Sequence, residues 1–274
     1  NVYSFFVIYA NIDGFSPAEG VSDAAETTPA ALAGSSWYRP IAERSELDRW
    51  ILSEVALTVR RVREKLDSYH MYDAALSIID LVDAVSNWYV RRSRRRFWAP
   101  VDDAEQQRDK QDATFTLYET LVAITKCIAP FVPFFSERLY QNLVRGPWPS
   151  SQPESVHLCA YPEVDEAVID EALAVEMKLI RQLVSLGLQV RTDNKLKVRQ
   201  PLARVDIIVQ SGELTERLKR YEGLLREELN VHEVKWLLPG QEGEAVDYQL
   251  KPNFRALGPR LGKRVQAVKK ILGE

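Results

Sequence analysis

Leu47–Leu66 reads LDRWILSEVALTVRRVREKL, and its spacing decides the fold class. Leu47, Ile51, Val55, Val59, Val62 and Leu66 recur every three or four residues, the period of an amphipathic α-helix, while Arg60, Arg61 and Arg63 fall mostly off that stripe. Ser45 precedes it with Asp48 three residues on, a hydroxyl and a carboxylate placed to satisfy the free amides of a first turn, so the helix starts there. Such a stripe must be covered. Tyr72–Trp98 predicts a second long helix, with Ile78, Val82, Val85 and Tyr89 on one side, Asp80 and Asp83 elsewhere, and Pro100 closing it. A third carries Leu117, Leu121, Ile124 and Ile128 and stops near Pro130; after Pro133 a shorter one proceeds through Phe134, Leu139 and Leu143. The expected fold is mainly α, an antiparallel helix bundle.

On the N-terminal side, residues 1–15 read as the end of a helix, broken by Gly14, Pro17 and Gly20. Residues 16–44 are rich in Ala, Ser, Thr and acids without periodicity and read as a flexible loop. The bundle then occupies 45–163. Residues 164–274 are expected to hold a long helix from Asp165 to about Arg191 followed by a small α/β subdomain: Val205, Ile207 and Val209 alternate like a strand, Leu214–Leu229 reads as a helix, and Val231–Leu237 favours a strand. A last helix is expected over Pro259–Leu272, its cations Arg260, Lys263, Arg264, Lys269 and Lys270 on the wet side.

Composition narrows function by exclusion. The 274 residues are 46% hydrophobic, in short periodic stretches, and no run of about 18 apolar residues exists to cross a bilayer. Asn1–Phe15 lacks the basic region and cleavage site of a signal peptide, and the abrupt start without Met reads as a cut inside a longer chain. Cys127 and Cys159 have no CxxC partner, which argues against a zinc finger and fits a reduced, cytoplasmic setting. His70, His157 and His232 are widely separated, without a triad or metal-site pattern, and no Walker lysine loop or GxGxxG is present. No catalytic residue and no metal ligand is expected in this chain.

The chemistry-bearing stretch is NWYVRRSRRRFW, Asn87–Trp98, where Arg91, Arg92, Arg94, Arg95 and Arg96 stand among Trp88, Tyr89, Phe97 and Trp98 with no acid between them. On a helix these arginines cover more than half the circumference, so one strip of carboxylates cannot neutralise them all. Guanidinium forks grip phosphates, and aromatic rings offer platforms to unpaired bases, which are the part of RNA that side chains read most easily. The net charge of −3 therefore conceals a local positive field. The blander reading puts Trp88 and Tyr89 in the core and one or two arginines in ion pairs with residues such as Asp80 or Asp83. A second basic stretch, Lys195, Lys197 and Arg199 in NKLKVRQPL, alternates like an extended strand with three cations on one face. RNA contact and a solvated edge strand read equally well there.

LDRWIL (Leu47–Leu52), SNWYVRRSRRRFW (Ser86–Trp98), APFVPFFSERLYQNL (Ala129–Leu143), ESVHL (Glu154–Leu158) and KVRQPL (Lys197–Leu202), in that order, make the chain resemble isoleucyl-tRNA synthetases over nearly its whole length. NVYSFFVIYANIDGF at the start is similar to the helix just past that family's KMSKS loop. The NWYVRR form separates it from the valyl family, which tends toward an acidic DWYIE-like version. The resemblance implies the anticodon-binding region of a cytoplasmic, monomeric class I synthetase, with the tRNA(Ile) anticodon stem-loop as partner and the catalytic and editing domains elsewhere in the same chain. It implies Trp88, Arg91, Arg92, Arg95, Arg96 and Trp98 as tRNA contacts, and the basic patterning adds Arg94, Lys195, Lys197 and Arg199 as candidates. It implies ATP with magnesium for the full-length enzyme and zinc in many bacterial members, whereas no cofactor is expected in this piece, which lacks HIGH, KMSKS and the cysteine-ligated zinc module. Tyr161 stands where the family usually has Trp before the proline, and the stretch before Ser45 is longer than usual. The same region of a valyl or leucyl enzyme, or a helical docking scaffold that never meets RNA, are the other readings.

Overall fold

The computed structural model describes residues 2–19, 34–98, 100–147, 152–209, 211–238, 240–241 and 262. The helix expected over Pro259–Leu272 and most of the preceding tail lie outside them. Two compact units divide at Met177 and Lys178, some way past the boundary at 163–164 that the proline-rich stretch indicates in the sequence.

The first unit is helical. α1 (Val2–Ile12), α2 (Glu46–Asp67), α3 (Met71–Asp83), α4 (Arg91–Trp98), α5 (Ala104–Ile128) and α6 (Pro133–Tyr140) follow in order, with a π-helical segment, Ala84–Val90, joining α3 to α4. Ser45 caps α2 by accepting the Asp48 amide at 3.2 Å, and Asp103 caps α5 through the Gln106 amide at 2.8 Å, each filling an amide that has no partner inside the helix. α2 differs from the single stripe read in its sequence. Trp50, Ile51, Leu52, Ser53, Val55, Ala56, Thr58, Val59 and Val62 are all buried, because neighbours surround this helix on several sides rather than one. On α3 the buried line is Ala74, Ile78 and Leu81, continued by Val85, and Val82 faces outward. Of the apolar residues on the short helix, Phe134 is 92% exposed, whereas Leu139 and Leu143 are buried.

The stretch expected as a flexible loop contributes to this core. Trp37 is buried, donates its indole N–H to Glu19 at 2.7 Å and meets Phe15 edge-on at 5.0 Å. Arg44, also buried, reaches Thr116 at 2.9 Å and Glu119 at 2.5 Å on α5, and Arg39 pairs with Asp112. Composition alone missed this because two arginines and one tryptophan, rather than a periodic stripe, do the anchoring; residues 20–33 lie outside the described set.

α7 (Glu171–Asp193) begins later than expected. Asp165 caps a single 3-10 turn through the Ala167 amide, and Asp170 then caps α7 through the Leu173 amide at 2.9 Å. The second unit adds β1 (Leu202–Ile208), α8 (Gly212–Lys219), α9 (Glu222–Leu229) and β2 (Val231–Leu237). The strands pair in parallel, Leu202 opposite Val231, and parallel pairing requires the helical crossover that α8 and α9 supply. One helix was expected where two stand, because the turn at Arg220–Tyr221 carries no Gly or Pro to announce it. Gly187 on α7 lets Leu229 approach: a Cβ there would lie 2.6 Å from a Leu229 methyl.

Candidate nucleic-acid interface

α4 sorts its arginines by position. Arg91, Arg94, Arg95 and Trp98 are exposed, and their i, i+3, i+4, i+7 spacing places them on one face. Ser93 and Phe97 are buried on the opposite face, with Arg92 and Arg96 half-buried at the flanks. Phe97 fixes that inner face edge-on against Phe5 at 5.1 Å, and Tyr9 lies 6.3 Å away. Among the described residues no hydrogen bond or ion pair engages the Arg94 or Arg95 side chains. Arg91 donates Nε–H to the Asn87 carbonyl at 2.9 Å. Trp98, 52% exposed, borders Tyr9 at 6.4 Å between ring centres and presents the rest of its indole to solvent.

Two of the residues read from the sequence as RNA contacts point elsewhere. Trp88 is 7% exposed, part of the π-segment's buried side, with the Arg91 guanidinium 5.9 Å from its ring centre. It is a core ring and no platform for a base. Arg96 turns inward and donates to both Asp48 oxygens, at 2.8 and 2.7 Å, and to Asp109 at 2.9 Å. A fork spent on a buried carboxylate cannot also grip a phosphate. The acids that Arg96 meets are Asp48 and Asp109, so this pairing crosses from α4 to the first turn of α2 and the second turn of α5.

Asp48 has no exposed surface and also accepts the Tyr89 hydroxyl at 2.6 Å and the Ser45 hydroxyl at 2.7 Å. Burial pushes its carboxyl up, but the bonds and charge of Arg96, helped by the two hydroxyls, outweigh this and hold it below the usual carboxylate range. Burial, reinforced by the Asp48 charge, pushes the Tyr89 phenol well above its ordinary value, so it stays a donor. Arg96 is raised, its bond to Asp48 overcoming the burial that would lower it. Sequence reasoning saw Ser45 and Asp48 as a helix cap and missed this second role, since nothing local links residue 48 to residue 96.

Lys195, Lys197 and Arg199 are exposed, but not on a strand. α7 ends in a Schellman arrangement: the Leu196 amide reaches the Arg191 carbonyl at 2.8 Å, the Lys195 amide reaches Thr192 at 3.0 Å, and Lys195 sits at φ +56°. A turn follows, closed by the Gln200 amide on the Lys197 carbonyl at 3.0 Å. The alternation of cations seen in the sequence is thus a coincidence of a turn-rich loop. What holds the loop is Arg191, 3% exposed, a residue that no local pattern singles out. Its guanidinium donates to four backbone carbonyls, those of Lys197, Gln200, Leu229 and Asn230, at 2.6 to 3.1 Å.

Large exposed aromatic side chains also occur away from α4. Tyr69, at φ +61° in the turn after α2, is 90% exposed, Tyr72 opens α3, and Phe134 opens α6. Among the described residues no helix is long and apolar enough to cross a membrane, and no three His, Cys, Asp or Glu side chains gather as a metal site requires.

Residues 48–207, more than half of the chain, match the family described as the anticodon-binding domain of tRNA ligase. The isoleucine–tRNA ligase of Chlamydia pneumoniae is 40% identical over 275 residues, covering 100% of this chain and 24% of that protein. That of Clostridium novyi (strain NT) is 38% identical over 273 residues, covering 99% of this chain and 23% of its own length. The chain spans about a quarter of the length of these relatives. A mainly helical unit with an outward row of arginines, matched over this range, belongs to the family of anticodon-binding domains of tRNA ligases.

Proposed function

We propose that this chain is the anticodon-binding region of an isoleucine–tRNA ligase, that its helices pack as an antiparallel bundle, and that it holds the anticodon stem-loop of tRNA(Ile). The observation that carries the RNA contact is the outward row Arg91, Arg94, Arg95 and Trp98: three guanidinium groups and an indole on one helix face, with no acid among them. Arginine neutralises and forks phosphate, and an indole stacks on a base. Activation of isoleucine with ATP and magnesium, transfer to tRNA and editing belong to the larger protein. The residues described here do not gather to hold a metal, and no step is assigned to ATP, magnesium or zinc in this region.

A second arrangement within the same function draws on the exposed rings. Arg96 ties α4 to Asp48 in the first turn of α2 and Asp109 in the second turn of α5, whereas Tyr69 and Phe134 follow the last turns of those two helices. At 1.5 Å per residue the two groups stand roughly 30 Å apart along the helices. The arginine row then meets stem phosphates, and unpaired loop bases stack on Tyr69 or Phe134. A salt titration of the intact protein against isoleucine and valine anticodon stem-loops tests both parts. Tighter, salt-sensitive binding to the isoleucine hairpin is expected. Equal affinity for both hairpins would remove the isoleucine assignment, and no binding to either at low salt would favour a protein-docking scaffold.

A further inference from the structure

Arg96 departs from its neighbours in a way that serves them. α4 continues from α3 through the π-segment, where the turns are wider than in an α-helix, and its eight residues carry five arginines whose mutual repulsion opposes a helix. Phe97 buries an apolar anchor on its inner face, but an aromatic contact tolerates sliding and rotation. The Arg96 fork does not: two parallel N–H···O bonds to Asp48 require a defined plane and direction. Asp48 is itself fixed by Ser45 and Tyr89, and Asp109 closes the other side of the guanidinium. The first turn of α2, the π-segment and the early turns of α5 therefore converge on one side chain of α4. Buried ion pairs add little net stability over apolar packing of the same size, whereas a bidentate fork constrains the plane and direction of its partner.

We infer that Arg96 and Asp48 are positioning residues for RNA contact: the bidentate pair sets the rotation of α4 so that Arg91, Arg94, Arg95 and Trp98 face outward together. This rests on the row being the RNA surface. Asp48 has no exposure and cannot touch RNA, so its replacement separates positioning from contact.

The test uses the intact protein that carries this chain, with an isoleucine anticodon stem-loop as the RNA probe, and compares Asp48→Asn, Arg96→Met, Arg96→Lys and Arg95→Ala. Binding is measured across a salt series, and amide hydrogen exchange is read over residues 91–98. Asp48→Asn and Arg96→Met are expected to weaken binding by about tenfold with the salt slope unchanged, and to speed exchange in 91–98 specifically. Arg96→Lys keeps the charge and loses the fork, so it should recover only part of the affinity. Arg95→Ala should shallow the slope by about 1 while leaving exchange as it was. If Asp48→Asn leaves affinity unchanged or tightens it while Arg96→Met flattens the slope, Arg96 itself reaches RNA and the inference is overturned. Unchanged exchange over 91–98 in both Asp48→Asn and Arg96→Met overturns it equally. Should Asp48→Asn prove globally unfolded, Arg96→Lys decides: weaker binding at an unchanged slope with faster local exchange supports the pair as a lock, and wild-type behaviour refutes it. Failure of the RNA reading is distinct, since the wild-type protein would then not bind the hairpin even at low salt, or Arg95→Ala would leave the salt slope as it was.

Discussion

Two arginines one residue apart have opposite tasks. Arg95 lies on the outer face, and its replacement by Ala should cost little stability, because truncating an exposed side chain with no partner among the described residues removes no packing. Arg96→Ala leaves Asp48 buried and charged without its counterion and is expected to cost about 3–5 kcal/mol in chemical denaturation. A loss under 1 kcal/mol would show that the pair carries no such burden. Trp98→Ala, at a half-exposed ring, should spare the melting temperature and remove about 1–3 kcal/mol of RNA binding if a base stacks on it. If Phe134→Ala produces that loss and Trp98→Ala does not, the loop bases sit past the last turns of the long helices. None of this sorting is legible in RRSRRR itself. The sequence offers five equivalent arginines, and only a carboxylate 48 positions earlier distinguishes the inward one.

At the scale of elements, long helices were the readable part. α2, α5 and α7 announce themselves by period, and the strands of the second unit by alternation of β-branched residues. What escaped was set by single long-range contacts: the packing of 34–44 through Trp37, Arg39 and Arg44, and the conversion of 195–200 from expected strand to turn through Arg191. The π-segment was also invisible, since its residues fit an α pattern equally well. Lys195→Gly relieves a side chain held at positive φ and should stabilise the second unit by roughly 1 kcal/mol; the same variant lowers the salt slope of RNA binding only if Lys195 meets a phosphate, so one protein answers both questions. Arg191→Met strips a donor from four carbonyls and should lower thermal stability by at least about 2 kcal/mol, followed through the Trp236 fluorescence on β2, even though every loop cation is retained. No change in that melt would mean that the loop is held by other bonds.

At the scale of the whole molecule, the net charge hides a segregation between α3 and α4. α3 carries Asp73, Asp80 and Asp83 with no base, and the helix continuing from it carries five arginines with no acid, so a net charge of −3 describes neither. The pH response follows from the buried carboxyls. Asp48 has a lowered pKa in the folded state, so its contribution is complete above the ordinary aspartate value of about 3.9 and is lost as pH falls through the folded one. Asp112 and Glu119, raised by burial against the pull of Arg39 and Arg44, take up protons earlier and cause no such loss. The stability gap between wild type and Asp48→Asn should therefore hold constant from pH 8 to 5 and narrow below about 4. A gap that narrows near neutrality would place the linkage on another group. The π-segment that precedes the arginines also limits how this protein can change in length. Deleting one residue between Tyr72 and Val90 would advance everything after it by about 100°, setting Phe97 against the Asp48 carboxylate and Trp98 among Phe5 and Tyr9. Inserting one would give Asp48 a serviceable Arg95 but push Arg96 into the aromatic pocket. A run that looks repetitive in composition has one workable phase, and gains or losses of single residues ought to be absent there unless paired with a compensating one before Arg91.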